Sequence, residues 1–187
     1  VLIRGGIEEF QGESEIVPNL ITIISSNQDV SITEGVTIAD LNNGNQINKL
    51  ESGEKWEGTY AQITDARVVS VDFFAGGDRV SFIVQDDQGN QMNVSDRFQA
   101  QRLPSNGGDF QAPPIGTNID TLRGVIAHSK NGCPGTDGRG YELFPFKESH
   151  YRYGNAPPII SDVQVDPEFP TSNDQVTISA NIEELNT

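Results

Sequence analysis

The feature that most constrains the fold of this sequence is a pair of similar segments. The first contains Ile3-Arg4-Gly5-Gly6-Ile7 and then Glu15-Ile16-Val17-Pro18, and the second contains Leu122-Arg123-Gly124-Val125-Ile126 and then Glu142-Leu143-Phe144-Pro145. An internal repeat indicates how many folding units a chain contains, and these two copies lie about one domain length apart. We therefore expect the first copy to be the closing piece of a domain whose beginning lies outside the chain.

The composition favours strands over helices. Ile and Val greatly outnumber Leu, and 19 Gly and 10 Pro are scattered along the chain. Branched aliphatic side chains suit half-buried pleated surfaces, and scattered Gly and Pro mark turns between short strands. The sequence therefore predicts an all-β protein.

The net charge of −15 restricts the classes of partner. A field of that sign repels the phosphate backbone of nucleic acid and an anionic membrane surface, so we expect no nucleic acid. There is also no run of about 18 apolar residues, so we expect no membrane insertion. We expect the acidic residues to form a solvated surface that keeps the chain soluble. Calcium is an alternative role for them, since Ca²⁺ binds converging carboxylates.

We divide the chain into four parts. Residues 1–25 read as a hairpin that closes a preceding domain, and residues 26–49 read as a polar linker with one helical turn at Ile38–Leu41. Residues 50–153 form a barrel. Residues 154–187 begin a further β-sandwich, because two strands do not bury a core unaided.

The barrel is predicted from the order of its strands. A long strand with a bulge covers Thr59 to Asp72, and two shorter strands cover Arg79 to Gln85 and Gln91 to Ser95. An excursion with a short helix near Phe98 to Leu103 leads to the second repeat copy. This order is typical of a five-stranded Greek-key OB barrel. Alternation places five side chains in its core: Val80, Phe82, Val84, Met92 and Val94.

Several stretches carry a resemblance to a known family. Trp56-Glu57-Gly58-Thr59-Tyr60-Ala61-Gln62-Ile63, Phe82-Ile83-Val84-Gln85-Asp86-Asp87-Gln88-Gly89-Asn90 and the second repeat copy resemble the OB-fold modules of large secreted proteins of Bacteroidetes-type bacteria. The tail from Pro158-Ile159-Ile160-Ser161-Asp162-Val163 resembles the immunoglobulin-like module that often follows. The resemblance implies an extracellular or cell-surface setting. Such modules often carry a basic residue after the Pro of the last strand, but Phe146 follows Pro145 here.

The reactive side chains do not form a catalytic pattern. His128 and His150 lie near the ends of the last two strands and are predicted to be incidental surface residues, whereas nucleophilic catalysis needs a Ser or Cys within reach of a His. Cys133 lies in a loop without a basic cluster to lower its pKa, so an idle thiol or an intermolecular disulfide is expected. We predict no catalytic residue, no cofactor and no structural zinc.

Two places are candidates for ligand binding. Trp56, at the mouth of the first barrel strand, is the better exposed aromatic side chain, and the loops at Asp86 and Lys130 complete a possible binding face. Asp86 to Asn90 contains oxygen ligands around a Gly but reads better as a hairpin turn than as a calcium loop. The aromatic residues near the last strand are expected to pack against the next module: Tyr141, Phe144, Phe146, Tyr151 and Tyr153.

The sequence therefore predicts a non-enzymatic extracellular β module that serves as a spacer, display or assembly unit. The first hairpin provides an edge for strand addition, formed by Leu2, Arg4, Ile7 and Phe10. Its expected partners are neighbouring copies or domains of the same polypeptide. The alternative is an accessory module of a secreted hydrolase that binds glycan or nucleic acid.

Overall fold

A computed structural model describes residues 1–10, 13–128, 140–154 and 158–183. The described residues form ten strands and two one-turn helices: β1 (Leu2–Phe10), β2 (Glu13–Thr22), α1 (Ile38–Leu41), α2 (Leu50–Gly53), β3 (Tyr60–Phe74), β4 (Arg79–Gln85), β5 (Gln91–Val94), β6 (Asn118–His128), β7 (Tyr141–Phe144), β8 (Tyr151–Tyr153), β9 (Ile159–Asp166) and β10 (Thr177–Glu183). Among them, no helix has the length and apolar character that crossing a bilayer requires.

Five strands close into a barrel. The order is β3-β4-β5-β7-β6, and a further pairing of β3 with β6 joins the two ends of the sheet. All neighbours are antiparallel except β5 and β7, which are parallel. The predicted all-β, OB-like barrel is confirmed, and β8 adds a short strand to β6.

Strand β3 is long enough to serve two neighbours. Its first half pairs with β6 from Tyr60 to Arg67, and its second half pairs with β4 from Arg67 to Phe74. A register shift between Val68 and Ser70 lies in the part of the strand that pairs with β4. The predicted bulge is therefore confirmed.

The barrel interior contains the aliphatic side chains that the alternation predicted. Val80, Phe82, Val84, Met92 and Val94 are all buried. They pack with the inward side chains of β3, β6 and β7, which include Ile63, Val68, Leu122, Ile126 and Leu143.

Residues 33–49 belong to the barrel unit, so the predicted linker 26–49 is wrong over this part. Val36, Ile38 and Leu41 are buried in the barrel core. The Thr33 N–H donates to Tyr60 O (2.8 Å), and the Gln62 N–H donates to Thr33 O (2.9 Å). Residues 33–49 are polar in composition because, within this segment, only these three aliphatic residues contact the core, and the composition therefore does not indicate that the segment packs on the barrel.

Two local predictions have opposite outcomes. The helical turn at Ile38–Leu41 is confirmed as α1, and a capping box with Thr37 and Asp40 begins it. The helix predicted near Phe98 to Leu103 is wrong, since this segment forms turns and a 3₁₀ helix follows at Pro104–Asn106.

The two end segments form hairpins outside the barrel sheet. Strands β1 and β2 make one two-stranded antiparallel sheet, and β9 and β10 make another. Most of their aliphatic side chains are exposed. These exposed side chains are the starting point for the candidate site.

Candidate functional site

The first candidate site is the β1–β2 hairpin. Its strands pair from Leu2 with Thr22 to Phe10 with Glu13, and a bulge in the register lies next to Gly5. Among the described strands, none pairs with the outer edge of either β1 or β2. Both outer edges therefore present backbone N–H and C=O groups that another strand can bind.

The hairpin repeats the register of β6 and β7. Ile7 pairs with Ile16, as Ile126 pairs with Leu143 at the equivalent positions of the barrel. The neighbouring pairs also correspond: Gly6 with Val17 to Val125 with Phe144, and Glu8 with Glu15 to Ala127 with Glu142. The repeat seen in the sequence is therefore a repeat of pairing geometry.

The glycine shared by both copies has the same steric role. A Cβ atom at Gly124 would lie 2.8 Å from the carbonyl oxygen of Phe144, and a Cβ atom at Gly5 would overlap the carbonyl oxygen of Val17. Val17 and Phe144 are equivalent residues of the repeat. Both hairpins thus need a residue without a side chain so that the two strands approach closely.

The surroundings of the two hairpins differ. Ile126 and Leu143 are completely buried in the barrel, whereas Ile7 is 81% exposed and Ile16 is 58% exposed. Ile3, which corresponds to the buried Leu122, is also exposed. The hairpin thus carries side chains of core type at core-equivalent positions, but no other described element covers them.

The four residues of the predicted edge do not share one face. Successive side chains of a strand alternate, so Leu2 and Arg4 lie on one face of β1 and Ile7 lies on the other. Leu2, Arg4 and Ile7 are exposed. The backbone of Phe10 pairs with Glu13 at the end of the hairpin, and the side chain of Phe10 is outside the described part.

Trp56 is not an open aromatic platform. It ends a 3₁₀ turn, is half-buried and packs against the barrel core. The Lys55 ammonium lies 4.7 Å from the centre of its ring. The ring is therefore shared between the barrel core and Lys55, and its role in ligand binding stays a prediction.

The loops of that predicted face give no support to calcium. Asp86 accepts hydrogen bonds from the N–H groups of Gln88 (3.0 Å) and Asn90 (2.9 Å), and Gly89 has φ +87°. The carboxylate thus stabilises a hairpin turn, as predicted. The described residues contain no group of three His, Cys, Asp or Glu placed to hold a metal ion. Lys130 and Cys133 lie outside the described residues.

Both histidines are buried, so their predicted surface location is wrong. The His128 ring stacks on Tyr141 with 5.0 Å between centres, and the amide of Asn48 contacts His128 Nε2. The Tyr60 hydroxyl lies 3.0 Å from His150 Nε2. Burial, followed by the charges of Lys147 and Arg123, lowers the pKa of His150. These contacts give both rings structural roles.

A cavity of about 410 Å³ was not predicted from the sequence. Its lining includes three arginines, one from the start of β4 and two from the segment after β5: Arg79, Arg97 and Arg102. The one sequence feature that points to this cavity is the occurrence of Arg97 and Arg102 in one short segment. Their proximity to Arg79 depends on an isolated backbone bridge between Arg79 and Arg102, which no local pattern reveals.

Comparison with known proteins gives no match to a protein family, to a curated protein or to a solved structure.

Proposed function

We propose that this chain is a non-catalytic β module that serves as a spacer, display or assembly unit of a larger surface or fibrous protein. Its β1–β2 hairpin joins it to a neighbour by strand complementation. The neighbour is a copy of the chain or another domain of the same polypeptide. The extracellular setting is part of the proposal and follows from the resemblance alone.

The observation that carries the proposal is the exposure of core-equivalent residues. Burying one Ile side chain contributes about 1.5–3 kcal/mol, and Ile3, Ile7 and Ile16 remain exposed in the hairpin. A two-stranded hairpin is at best marginally stable in water. A neighbour that covers this face therefore stabilises both the hairpin and the contact.

The barrel supplies a template for the contact. The outer edge of β6 pairs antiparallel with β3, and that of β7 pairs parallel with β5. In a copy of this chain the edges of β3 and β5 are already taken by its own β6 and β7, so the template applies to a neighbouring domain without a closing hairpin, and copies pair through the outer edges of their hairpins. By equivalence, β1 receives an antiparallel strand and β2 a parallel strand from such a domain. The face with Ile3, Ile7 and Ile16 then points into the neighbour's core.

Polar contacts of the barrel hairpin extend the template. The Arg123 Nε donates to Gln62 Oε1 on β3 (2.9 Å), and Asn93 on β5 donates to the Glu142 carboxylate. Arg4 and Glu15 occupy the equivalent positions in β1 and β2. The neighbour is therefore expected to offer an acceptor beside Arg4 and a donor beside Glu15.

The second hairpin provides another exposed surface of the same kind. Val163, Ile178 and Ile182 are exposed on β9 and β10, and Phe169 between these strands is 83% exposed. A module with an uncovered hairpin near each end can join two neighbours in series. Contacts of this head-to-tail type produce open filaments when they do not close into rings.

Sedimentation velocity of the full chain over a range of concentrations tests the proposal. We expect concentration-dependent association, and we expect the double substitution Ile7→Lys and Ile16→Lys to weaken it at least about tenfold, since charge in a buried apolar contact is costly. The matched control is Ile115→Lys, because Ile115 is 63% exposed on the barrel unit. Negative-stain microscopy shows whether the associated species are filaments. A chain that stays monomeric, or one that associates equally well with both lysines, contradicts the proposal for copies of this chain.

A further inference from the structure

The cavity with three arginines is unusual for a chain of this charge. Only 12 of the 187 residues are Lys or Arg, against 27 Asp and Glu. Three of those 12 line one cavity of about 410 Å³, together with the amide side chains of Gln99 and Asn106. The lining includes one acid, Asp96.

Asp96 neutralises and orients Arg79. Arg79 Nε donates to Asp96 Oδ2 (3.0 Å), and Arg79 Nη2 donates to the Asp96 backbone oxygen (3.1 Å). The other carboxylate oxygen accepts the Gln101 N–H (3.1 Å), so both oxygens of this buried side chain are used within the protein. The Phe74 ring centre lies 4.8 Å from the guanidinium carbon of Arg79. Arg79 is therefore fixed in place and paired.

Among the residues that the structure describes, none forms an ion pair with Arg97 or Arg102. Arg102 donates to the neutral amide oxygen of Gln99. Arg97 forms no hydrogen bond or ion pair with the described residues. The lining thus carries two uncompensated positive charges at its exposed rim, beside a third guanidinium that Asp96 holds.

We propose that this cavity binds a small oxyanion group, a phosphate or a carboxylate. Guanidinium groups bind both through paired, charge-assisted hydrogen bonds. Arg97 and Arg102 supply the charge that faces the anion, and Arg79 and Asp96 act as positioning residues that hold the wall of the cavity. The site is independent of the hairpin, so it neither needs nor supports the assembly function.

The size of the cavity limits the ligand class. A volume of about 410 Å³ is at the lower end of the range for small-molecule sites. It accommodates a phosphate or a small organic acid. The overall charge of −15 opposes binding of a polyanion such as nucleic acid.

Titration of the full chain with inorganic phosphate and with acetate, at constant ionic strength kept with chloride, tests the proposal by amide NMR. We expect saturable shifts confined to residues 96–106 and to Arg79. Arg97→Gln and Arg102→Gln should each weaken binding about tenfold, because each removes a charged hydrogen bond. The two anions distinguish a phosphate site from a carboxylate site.

Arg152→Gln is the matched control, since Arg152 is exposed on β8 and does not line the cavity. It should leave the affinity unchanged. The dispersion of the amide spectrum verifies that all three variants are folded. Shifts that do not saturate, or saturable binding that is unchanged in both Arg97→Gln and Arg102→Gln, overturn the proposal.

Discussion

One buried side chain, Asn42, joins three parts of the barrel unit. Its amide nitrogen donates to Gln91 O (3.0 Å) and to Tyr141 O (2.8 Å), and its amide oxygen accepts the Tyr141 N–H (2.9 Å). The Tyr141 hydroxyl in turn donates to Glu54 (2.8 Å). Burial, followed by this hydrogen bond, raises the pKa of Tyr141 above its ordinary value of 10.0, so the hydroxyl remains a donor in alkaline solution as well as at neutral pH.

The first prediction concerns this residue. Asn42→Ala should lower the free energy of unfolding by about 2–3 kcal/mol, because it leaves buried backbone groups of Gln91 and Tyr141 without partners. Urea denaturation measures the loss. Asn45→Ala is the control, since Asn45 is exposed and its side chain makes no hydrogen bond to the described residues. Equal stability of the two variants would contradict this role for Asn42.

The second prediction concerns pH. Since the pKa of His150 lies below its ordinary value of 6.5, the folded chain binds fewer protons at this residue than the unfolded chain does. Stability should therefore be complete above pH 6.5 and should fall as the pH decreases from 6.5 to the lowered pKa. Thermal melts across this range measure the effect, and NMR titration of the His150 ring measures the pKa. His150→Gln should make stability depend less on pH over this range. If the slope of stability against pH is the same in this variant, the prediction is refuted.

At the residue scale, the sequence predicts the side chains that a strand pattern controls. The alternation of Phe82 with Val80 and Val84 correctly predicts its burial. The predicted exposure of the histidines is wrong because a strand end is exposed only if no other segment covers it. Asn48, within the predicted linker, covers His128. No local pattern distinguishes a solvated Asn from one that bonds to a distant ring.

At the element scale, replacing the repeated glycine should have different consequences in the two hairpins. Gly124→Ala should destabilise the barrel by about 1–3 kcal/mol, since the new methyl group would crowd Phe144 O. Gly5→Ala should open the β1–β2 hairpin without changing the barrel transition. Thermal unfolding followed by the Trp56 fluorescence reports on the barrel, and amide NMR reports on the hairpin.

Gly6→Ala is the control for both variants, because a Cβ atom at Gly6 has nothing within 4 Å. It should leave the hairpin spectrum intact. If Gly5→Ala lowered the barrel transition as much as Gly124→Ala, the hairpin and the barrel would unfold as one unit, contrary to their separate sheets.

The elements that the sequence predicted are those with a regular period. The bulged strand β3, the shorter strands β4 and β5 and the repeated hairpins follow from alternation and from turn residues. The helix predicted near Phe98 to Leu103 does not form, because the Asp96 carboxylate accepts a hydrogen bond from the Gln101 N–H and stabilises a turn there instead. Such a side-chain to backbone bond competes with helix formation, and the pattern of apolar residues does not reveal it.

At the scale of the whole molecule, we expect the two hairpins to be less stable than the barrel. The barrel closes on itself, whereas each hairpin has two strands with uncovered aliphatic side chains. Amide hydrogens of β1–β2 and β9–β10 should exchange at least about 100-fold faster than those of β4 and β6 at low protein concentration, because small sheets open more readily than a closed core.

Hydrogen exchange followed by mass spectrometry measures this difference. Strands β4 and β6 serve as the internal control. Uniform protection along the chain at low concentration would contradict the prediction. Protection of β1–β2 that rises with concentration, and that Ile7→Lys with Ile16→Lys removes, would support strand complementation between copies.

The strand order and the barrel were predictable because an internal repeat and five strand patterns agree on one topology. The extent of the barrel unit was not. Residues 33–49 reach the core through few apolar contacts, and their polar side chains bond to backbone groups that are distant in the sequence. The arginine cavity could not be predicted for a similar reason. Arg79 comes close to Arg97 and Arg102 only when the folded chain brings distant segments together.

The matched register of the two hairpins has a consequence for synthesis. As the polypeptide leaves the ribosome, β1 and β2 emerge before β3–β5, and the strands that close the barrel, β6 and β7, emerge after them. During that interval we expect the β1–β2 hairpin to compete for the open edges of β3 and β5, because misassembly between similar units is a characteristic failure of chains with repeats. Ser14 and Glu9 stand where the true closing strands have the rings of Tyr141 and His128. Because the true closing strands carry these two rings and fill the barrel of this chain more completely, we expect them to displace the hairpin when they arrive.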